Sequence, residues 1–336
     1  MIHPASSYPL RIAILAPLEY PLQEPYAGGL EKHTVQLAAG LASMGHSVRL
    51  FARKESSSVA GVTLEAVSKY SEALGKLRIL DLDLIHNNTI DFLPTLASCT
   101  FSCPVVTTLH VPPYRRLLPG TLISRLFRSA VFVAVSHDLA RQWRRYTGEC
   151  DIIYNGIDTE RWVYRASAAP KTAIWSGRIV PEKAPHLAIR AAVKAGYRLS
   201  IAGPLTDPTY FGKYIEPYLS EEVKYIGHLD QQSLSSHIAA ASVGLYTSVW
   251  REPFGLVLPE MLACGTPIAG FATGAAPELL SPQVSKLVDA EDLTALAAAI
   301  HEASALSRPG CRAYAEKSFS LSTMLLAYKK LYYSLF

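Results

Sequence analysis

The sequence predicts an α/β protein made of two doubly wound, parallel-sheet domains. Three observations lead there. Short apolar runs alternate with longer stretches of helical apolar spacing, the pattern of βαβ units. The alternation breaks over 159–172, "TERWVYRASAAPKT", and then restarts. A chain of 336 residues, 49% hydrophobic and 18% charged, has an ordinary globular balance and a length natural for two domains. The expected domains are 1–165 and 166–319, both Rossmann-like, with 320–336 as a closing helix that packs back toward the first. Their ligand cleft is expected at the carboxyl ends of both sheets.

The elements follow in order. "RIAILAP" (11–17) reads as a buried strand, followed by a Gly-bearing loop and a helix over 30–45. Gly45 stops that helix, and "HSVRLFA" (46–52), "DLIHNN" (83–88), "PVVTTLH" (104–110) and "AVFVAVS" (130–136) are the next strands. The second set is "AIWSGRI" (173–179), "YRLSIAG" (197–203), "VKYIGH" (223–228), "VGLYTS" (243–248) and "TPIAGF" (266–271). Helices intervene, as in "APHLAIRAAVKAG" (184–196), and "SLSTMLLAYKKLYYSLF" (320–336) reads as a final amphipathic helix.

Composition narrows the function. A net charge of +4 does not imply nucleic acid. The five cysteines, at 99, 103, 150, 264 and 311, are not spaced for zinc and fit free thiols in a reducing cytosol. No apolar run reaches the roughly 18 residues of a spanning helix. "IAILAPL" after Arg11 is too short and too late for a secretion signal.

The chemistry concentrates in "TSVWREPFGLVLPEMLACGTP" (247–267), where Glu252 and Glu260 stand in apolar surroundings. Proline is tolerated only in the first helical turn, so Pro259 places a helix start near Gly255. Glu252 then lies in the entry loop and Glu260 about one turn inside. Such a set offers two carboxylates and several backbone donors to a sugar, a phosphate and a ribose. An ordinary helix start with solvated acids fits the pattern equally well. Arg178 and Lys183 in "SGRIVPEKAPH" follow a strand and open a helix, an arrangement suited to a pyrophosphate or simply a solvated loop. Gly28 and Gly29 in "YAGGLEKH" sit at the first strand-to-helix turn, where glycine admits close approach of a ligand or makes a tight turn.

"EPFGLVLPEMLACGTPIAG" resembles the Glu-x7-Glu signature of retaining glycosyltransferases of family 4, which have the GT-B fold. "AGGLEKHTVQLAAGLASMGHSV", "TTLH", "VAVSHDLA", "YNGIDTERW", "WSGRIVPEKAPHLAI", "IAGP", "YIGHLDQQSLSSHIAAASVGLYTS" and "GAAPELL" fall in the family's order, so the resemblance covers nearly the whole chain. It implies a metal-independent hexosyltransferase of the cytoplasm that takes a sugar from a UDP- or GDP-type donor in glycan or glycoconjugate biosynthesis. The second domain would hold this donor and the first the acceptor: a sugar, a glycolipid or a small molecule. No cofactor is implied. Arg178 and Lys183 would neutralise the pyrophosphate, Glu260 would bind the ribose, and Glu252 the donor sugar. Phe254, Gly255 and Leu256 would present backbone N–H groups, Gly28 and Gly29 would approach the phosphates, and His110 would stand beside the reacting carbon. Two departures stand out. Lys183-Ala184 replaces a common Lys-Gly, which restricts the backbone there. "IHNN" (85–88) replaces a frequent His-x-His. The alternative reading is a sugar-nucleotide epimerase or hydrolase on the same fold, which needs further acid/base carboxylates.

Weaker signals remain. Asp81-Leu82-Asp83 matches a metal-binding Asp-x-Asp, but it leads into a strand at its amino end. His33, His137 and His228 read as packing or surface residues. From His110 to Tyr146 there are seven arginines (115, 116, 125, 128, 141, 144 and 145) against one acid, Asp138, with leucines interleaved. The stretch 114–146 is a candidate for peripheral contact with the inner face of an anionic membrane. A solvated basic face and an anionic acceptor site are its alternatives.

Overall fold

The computed structural model describes residues 8–336; residues 1–7 of the expected first domain lie outside it. The chain divides into two compact units, residues 1–156 with 321–336, and residues 157–320.

The first unit runs β1 (Arg11–Leu15), α1 (Gly29–Ser43), β2 (Ser47–Arg53), β3 (Val62–Val67), α2 (Tyr70–Leu77), β4 (Leu84–Asn87), α3 (Phe92–Ala97), β5 (Val105–Leu109), α4 (Leu118–Phe127), β6 (Val131–Ala134), α5 (His137–Thr147) and β7 (Asp151–Ile152). Its seven strands are all parallel, in the order β3-β2-β1-β4-β5-β6-β7. A parallel sheet is covered on both faces, and β1 shows how the residues divide. Ile12 and Ile14 join one buried cluster with Leu37, Leu41 and Leu50, while Ala13 and Leu15 join another with Phe51, Ile85 and Val105. Alternate side chains of a strand point to opposite faces, so an unbroken apolar run is what this position requires.

The second unit runs β8 (Thr172–Ser176), α6 (Pro185–Ala195), β9 (Arg198–Ala202), α7 (Pro208–Tyr214), β10 (Val223–Tyr225), α8 (Gln231–Ala240), β11 (Val243–Tyr246), α9 (Val257–Ala263), β12 (Ile268–Phe271), α10 (Ala276–Leu279), β13 (Ser285–Val288), α11 (Leu293–Ser304) and α12 (Arg308–Phe319). Its parallel order is β10-β9-β8-β11-β12-β13. Trp175, Leu187, Leu199, Leu245, Phe271 and Ile300 lie in one core.

The last helix, α13 (Leu321–Tyr333), belongs to the first unit. Met324, Leu325, Tyr328 and Tyr332 enter the same cluster as Ile12 and Ile14. Gly40 of α1 has no room for a Cβ because Leu325 fills the space. The sequence boundary at 165 differs from the observed division. Residues 157–165 lie in the second unit, where Ile157 N–H donates to the Phe319 carbonyl (2.8 Å). The buried Arg308 also donates there, to the carbonyls of Arg165 (2.8 Å), Ala241 (2.8 Å) and Ala239 (2.7 Å).

Candidate active site

In an open α/β sheet, ligands bind beyond the carboxyl ends of the strands where the strand order reverses. In the second unit that point lies between β8 and β11, which pair directly. Arg178 and Lys183 follow β8, and Glu252 follows β11, so two loops distant in sequence meet there.

Lys183 Nζ lies 2.5 Å from Glu252 Oε1, with side chains only 19% and 7% exposed. The indole of Trp250 stands 5.9 Å from the ammonium. Backbone bonds fasten the loops together. The Glu182 carbonyl accepts from Val249 N–H (3.0 Å) and Trp250 N–H (3.3 Å), and the Ala184 carbonyl from the Thr247 hydroxyl (3.0 Å). Trp175 Nε1–H donates to that same hydroxyl (3.0 Å). Gly274, at φ +56°, packs onto the backbone of Glu252 where a Cβ would collide, and Ala275 N–H donates to the Glu252 carbonyl (3.0 Å). Gly203 lets the loop after β9 close on Gly177, directly before Arg178. Arg178 itself is exposed and has no ion-pair partner among the described residues. Ala184 takes the left-handed conformation, φ +48° and ψ +50°.

α9 begins at Val257, two residues later than expected, and Pro259 is its third residue. Glu260 is the fourth, and 9% exposed. Phe254 is buried edge-on against Phe319, with ring centroids 6.0 Å apart. Gly255 has φ +81°, and Gly255 and Leu256 are partly exposed.

In the first unit the order reverses between β1 and β4. Gly28 and Gly29, on the loop after β1, start α1 with no side-chain cap. Asn88 directly follows β4, and His110 follows the neighbouring β5. The Asn88 amide bonds Thr34 Oγ1 (2.6 Å), His33 Nδ1 (3.2 Å) and His110 Nε2 (2.5 Å). The two imidazoles meet edge to face at 5.0 Å. His33 is buried, in keeping with a packing residue, and nothing in its sequence neighbourhood marks its bond to Asn88. Burial pushes His33 down to about 4. His110 falls well below its ordinary value, mainly through burial and secondarily through His33 and His86. Beneath them His86 bonds the Tyr332 hydroxyl (2.5 Å) and Thr108 Oγ1 (2.8 Å), and burial pushes it down to about 3. Thr89, Thr107, Thr108 and His110 line a small pocket over this layer.

Other expectations fall elsewhere. Asp81 and Asp83 are both tied to the Arg11 guanidinium. His137 and His228 are exposed. Among the described residues no group of three or more His, Cys, Asp or Glu is placed to hold a metal ion.

The sequence profile of Glycosyltransferase Family 4 matches residues 27–161, and that of Glycosyl transferases group 1 matches 156–318. The chain belongs to this glycosyltransferase family. It is thus an enzyme of the transfer class, which displaces the epimerase or hydrolase alternative. The D-inositol 3-phosphate glycosyltransferase of Mycolicibacterium smegmatis is 26% identical, over 96% of this chain and 91% of its own. Two solved structures share the two-Rossmann GT-B fold. HepE of Anabaena in complex with UDP-glucose has a TM-score of 0.77 at 18% identity, covering 97% of this chain and 100% of that one. A glycosyltransferase from Rickettsia africae has 0.80 at 15%, covering 98% and 99%. No helix of the glycosyltransferase, among the described residues, is long and apolar enough to cross a membrane.

Proposed function

We propose that this glycosyltransferase moves a hexosyl group from a nucleoside-diphosphate sugar to an acceptor hydroxyl, with retention at the anomeric carbon and without a metal or other cofactor. One observation carries the reading: Lys183 and Glu252 converge at the switch point of the second sheet, with the exposed Arg178 beside them in sequence. As the bond from the anomeric carbon to the phosphate oxygen breaks, the diphosphate gains negative charge and the sugar takes oxocarbenium character. Arg178 and Lys183 supply fixed positive charge to the leaving group, the device that accounts for most transition-state stabilisation in such sites. The uncapped first turn of α1 at Gly28 and Gly29 offers further N–H donors to phosphate. Glu252 and the backbone of Phe254, Gly255 and Leu256 hold the sugar, Glu260 the ribose, and His110 stands beside the reacting carbon. The departing phosphate oxygen accepts the proton of the acceptor hydroxyl on the same face, so no side-chain base is required.

The HepE complex with UDP-glucose supports a uridine donor, and the name of the mycobacterial relative makes a polyol phosphate the first acceptor class to test. The exposed arginines in and around α4, with its exposed apolar side chains, support peripheral contact with an anionic membrane. The functional reading is tested by thermal shift against UDP- and GDP-sugars in EDTA, then NMR of the product. Stabilisation by one sugar nucleotide and transfer with the donor's own anomeric configuration are expected. An inverted product, or transfer that stops in EDTA and returns with Mn²⁺, would overturn it.

A further inference from the structure

The hydrogen bonds around Asn88 determine where three protons sit. Thr34 donates its only hydroxyl hydrogen to the Leu30 carbonyl (2.8 Å), so at its second contact, 2.6 Å from the Asn88 amide, it can only accept. The amide group facing Thr34 is therefore the NH2, and the oxygen faces His110. His110 must then carry its hydrogen on Nε2, 2.5 Å from that oxygen. Its Nδ1 is left as a bare acceptor with no hydrogen-bond partner in the described chain, on a ring that is only partly buried. The second NH2 hydrogen points to His33 Nδ1 at 3.2 Å, which makes His33 an acceptor there and puts its hydrogen on Nε2. That Nε2 is buried and has no partner among the described residues.

From this we infer that Asn88 is a positioning residue for the transfer reaction: it holds His110 neutral, in the Nε2–H form, with Nδ1 free to accept a hydrogen bond from a substrate hydroxyl. The inference rests on the reading of His110 as a substrate-facing group. An amide suits the task for a reason of chemistry. It presents one acceptor and two hydrogens from a single rigid plane, whereas an imidazole at this position has two ring nitrogens for three partners. The groups acting on His110 are His33 on α1 and His86 on β4. His86 is itself held between Thr108 and Tyr332, and Glu31 and Lys32 precede His33 as buried neighbours. A neutral amide at the centre keeps these rings uncharged. A carboxylate there would invite a proton onto one of them, and an imidazolium has no lone pair to offer.

The test uses the whole protein labelled with 15N. Long-range 1H–15N spectra report the tautomer of each imidazole directly, with no substrate present. In the wild type, His110 and His33 are expected in the Nε2–H form and neutral well below the ordinary imidazole value. A hydrogen on Nδ1 of His110, or titration near 6.5, overturns the inference whatever the enzyme's substrate. Asn88→Asp is expected to show an imidazolium and to add an acid limb to kcat. The rate should fall about tenfold per pH unit below the new pKa, with donor KM little changed. Asn88→Leu, which removes the amide without adding charge, should lower kcat with no such limb. If Asn88→Asp contains the imidazolium yet keeps the wild-type pH profile, His110 does not need its free nitrogen and the inference falls. Should Asn88→Asp not fold, the wild-type spectra decide alone.

Discussion

At the residue scale the pairing of Lys183 with Glu252 changes what each substitution will do. From sequence, Lys183 belongs to the phosphate and Glu252 to the sugar; in the structure each is the other's partner at 2.5 Å. Glu252→Gln therefore releases a cation, and affinity for free nucleoside diphosphate should hold or rise. Turnover should drop by roughly 10²–10³, the scale for removing one electrostatic interaction that stabilises a transition state. Lys183→Ala strands a carboxylate that is 7% exposed and should lower stability by about 3 kcal/mol. Adding Glu252→Gln to it should recover part of that loss. Calorimetry with the nucleoside diphosphate, steady-state kinetics and chemical denaturation read all three; nucleotide binding that weakens in Glu252→Gln would reverse the assignment. Lys183 and Glu252 could each be singled out from sequence because each lies on a loop that follows a strand. Their pairing could not, because it depends on β8 lying next to β11, which no local pattern states. The bond between Asn88 and His33 was not legible for the same reason, since the two stand 55 positions apart and are joined only by the fold. Ala184 was legible as a restriction and is one. The left-handed backbone costs about 1–2 kcal/mol, and its fully buried methyl offsets about 0.8 kcal/mol of that.

At the scale of elements, the long apolar strands were readable because both faces of a parallel sheet are buried. β3, β7 and β13 were missed. β3 is only partly buried and β7 has two residues, so neither carries the continuous apolar run. β13 is buried at Ser285 and partly exposed after it. The helix α4 poses a different question. Leu122, Leu126 and Phe127 on it are 46%, 77% and 66% exposed, and Arg115, Arg116, Arg125 and Arg128 around it are exposed too. Arg141 and Arg144 of the same basic stretch are paired, with Asp138 and with Glu149, and contribute less net charge. Each free cation near an anionic surface is worth about 1 kcal/mol, and the apolar side chains add area that enters the interface. Sedimentation with vesicles containing phosphatidylserine should show binding that weakens in high salt. Replacing Leu126 and Phe127 by serine should weaken it at least about tenfold, with transfer to a water-soluble acceptor retained. Equal binding by the variant, or equal binding to neutral vesicles, would leave α4 an ordinary basic face.

For the whole molecule, buried histidines are distributed unevenly. His33, His86 and His110 sit together in the first unit, and His46 is depressed there as well. The second unit has one depressed histidine, His186, with its ring on the Tyr210 hydroxyl. A histidine whose folded value lies below the unfolded one, near 6.5, binds more protons when unfolded. Its neutral burial therefore costs nothing above about pH 6.5. Below that, stability falls steadily until the folded value is reached, about 4 for His33 and about 3 for His86. With several such groups the first unit should lose a few kcal/mol between pH 6.5 and 4.5, and the second much less. The two units hold separate cores, so acid should separate them. Hydrogen exchange corrected for the intrinsic rate provides the measurement. Protection of β4 and β5 should drop steeply from pH 7 to pH 5, while β8 and β11 change little. His33→Gln should flatten the slope of the first unit, because it removes one proton-binding site from the unfolded chain. Parallel loss in both units would mean that acid acts through surface carboxylates spread over the whole chain and not through this buried cluster.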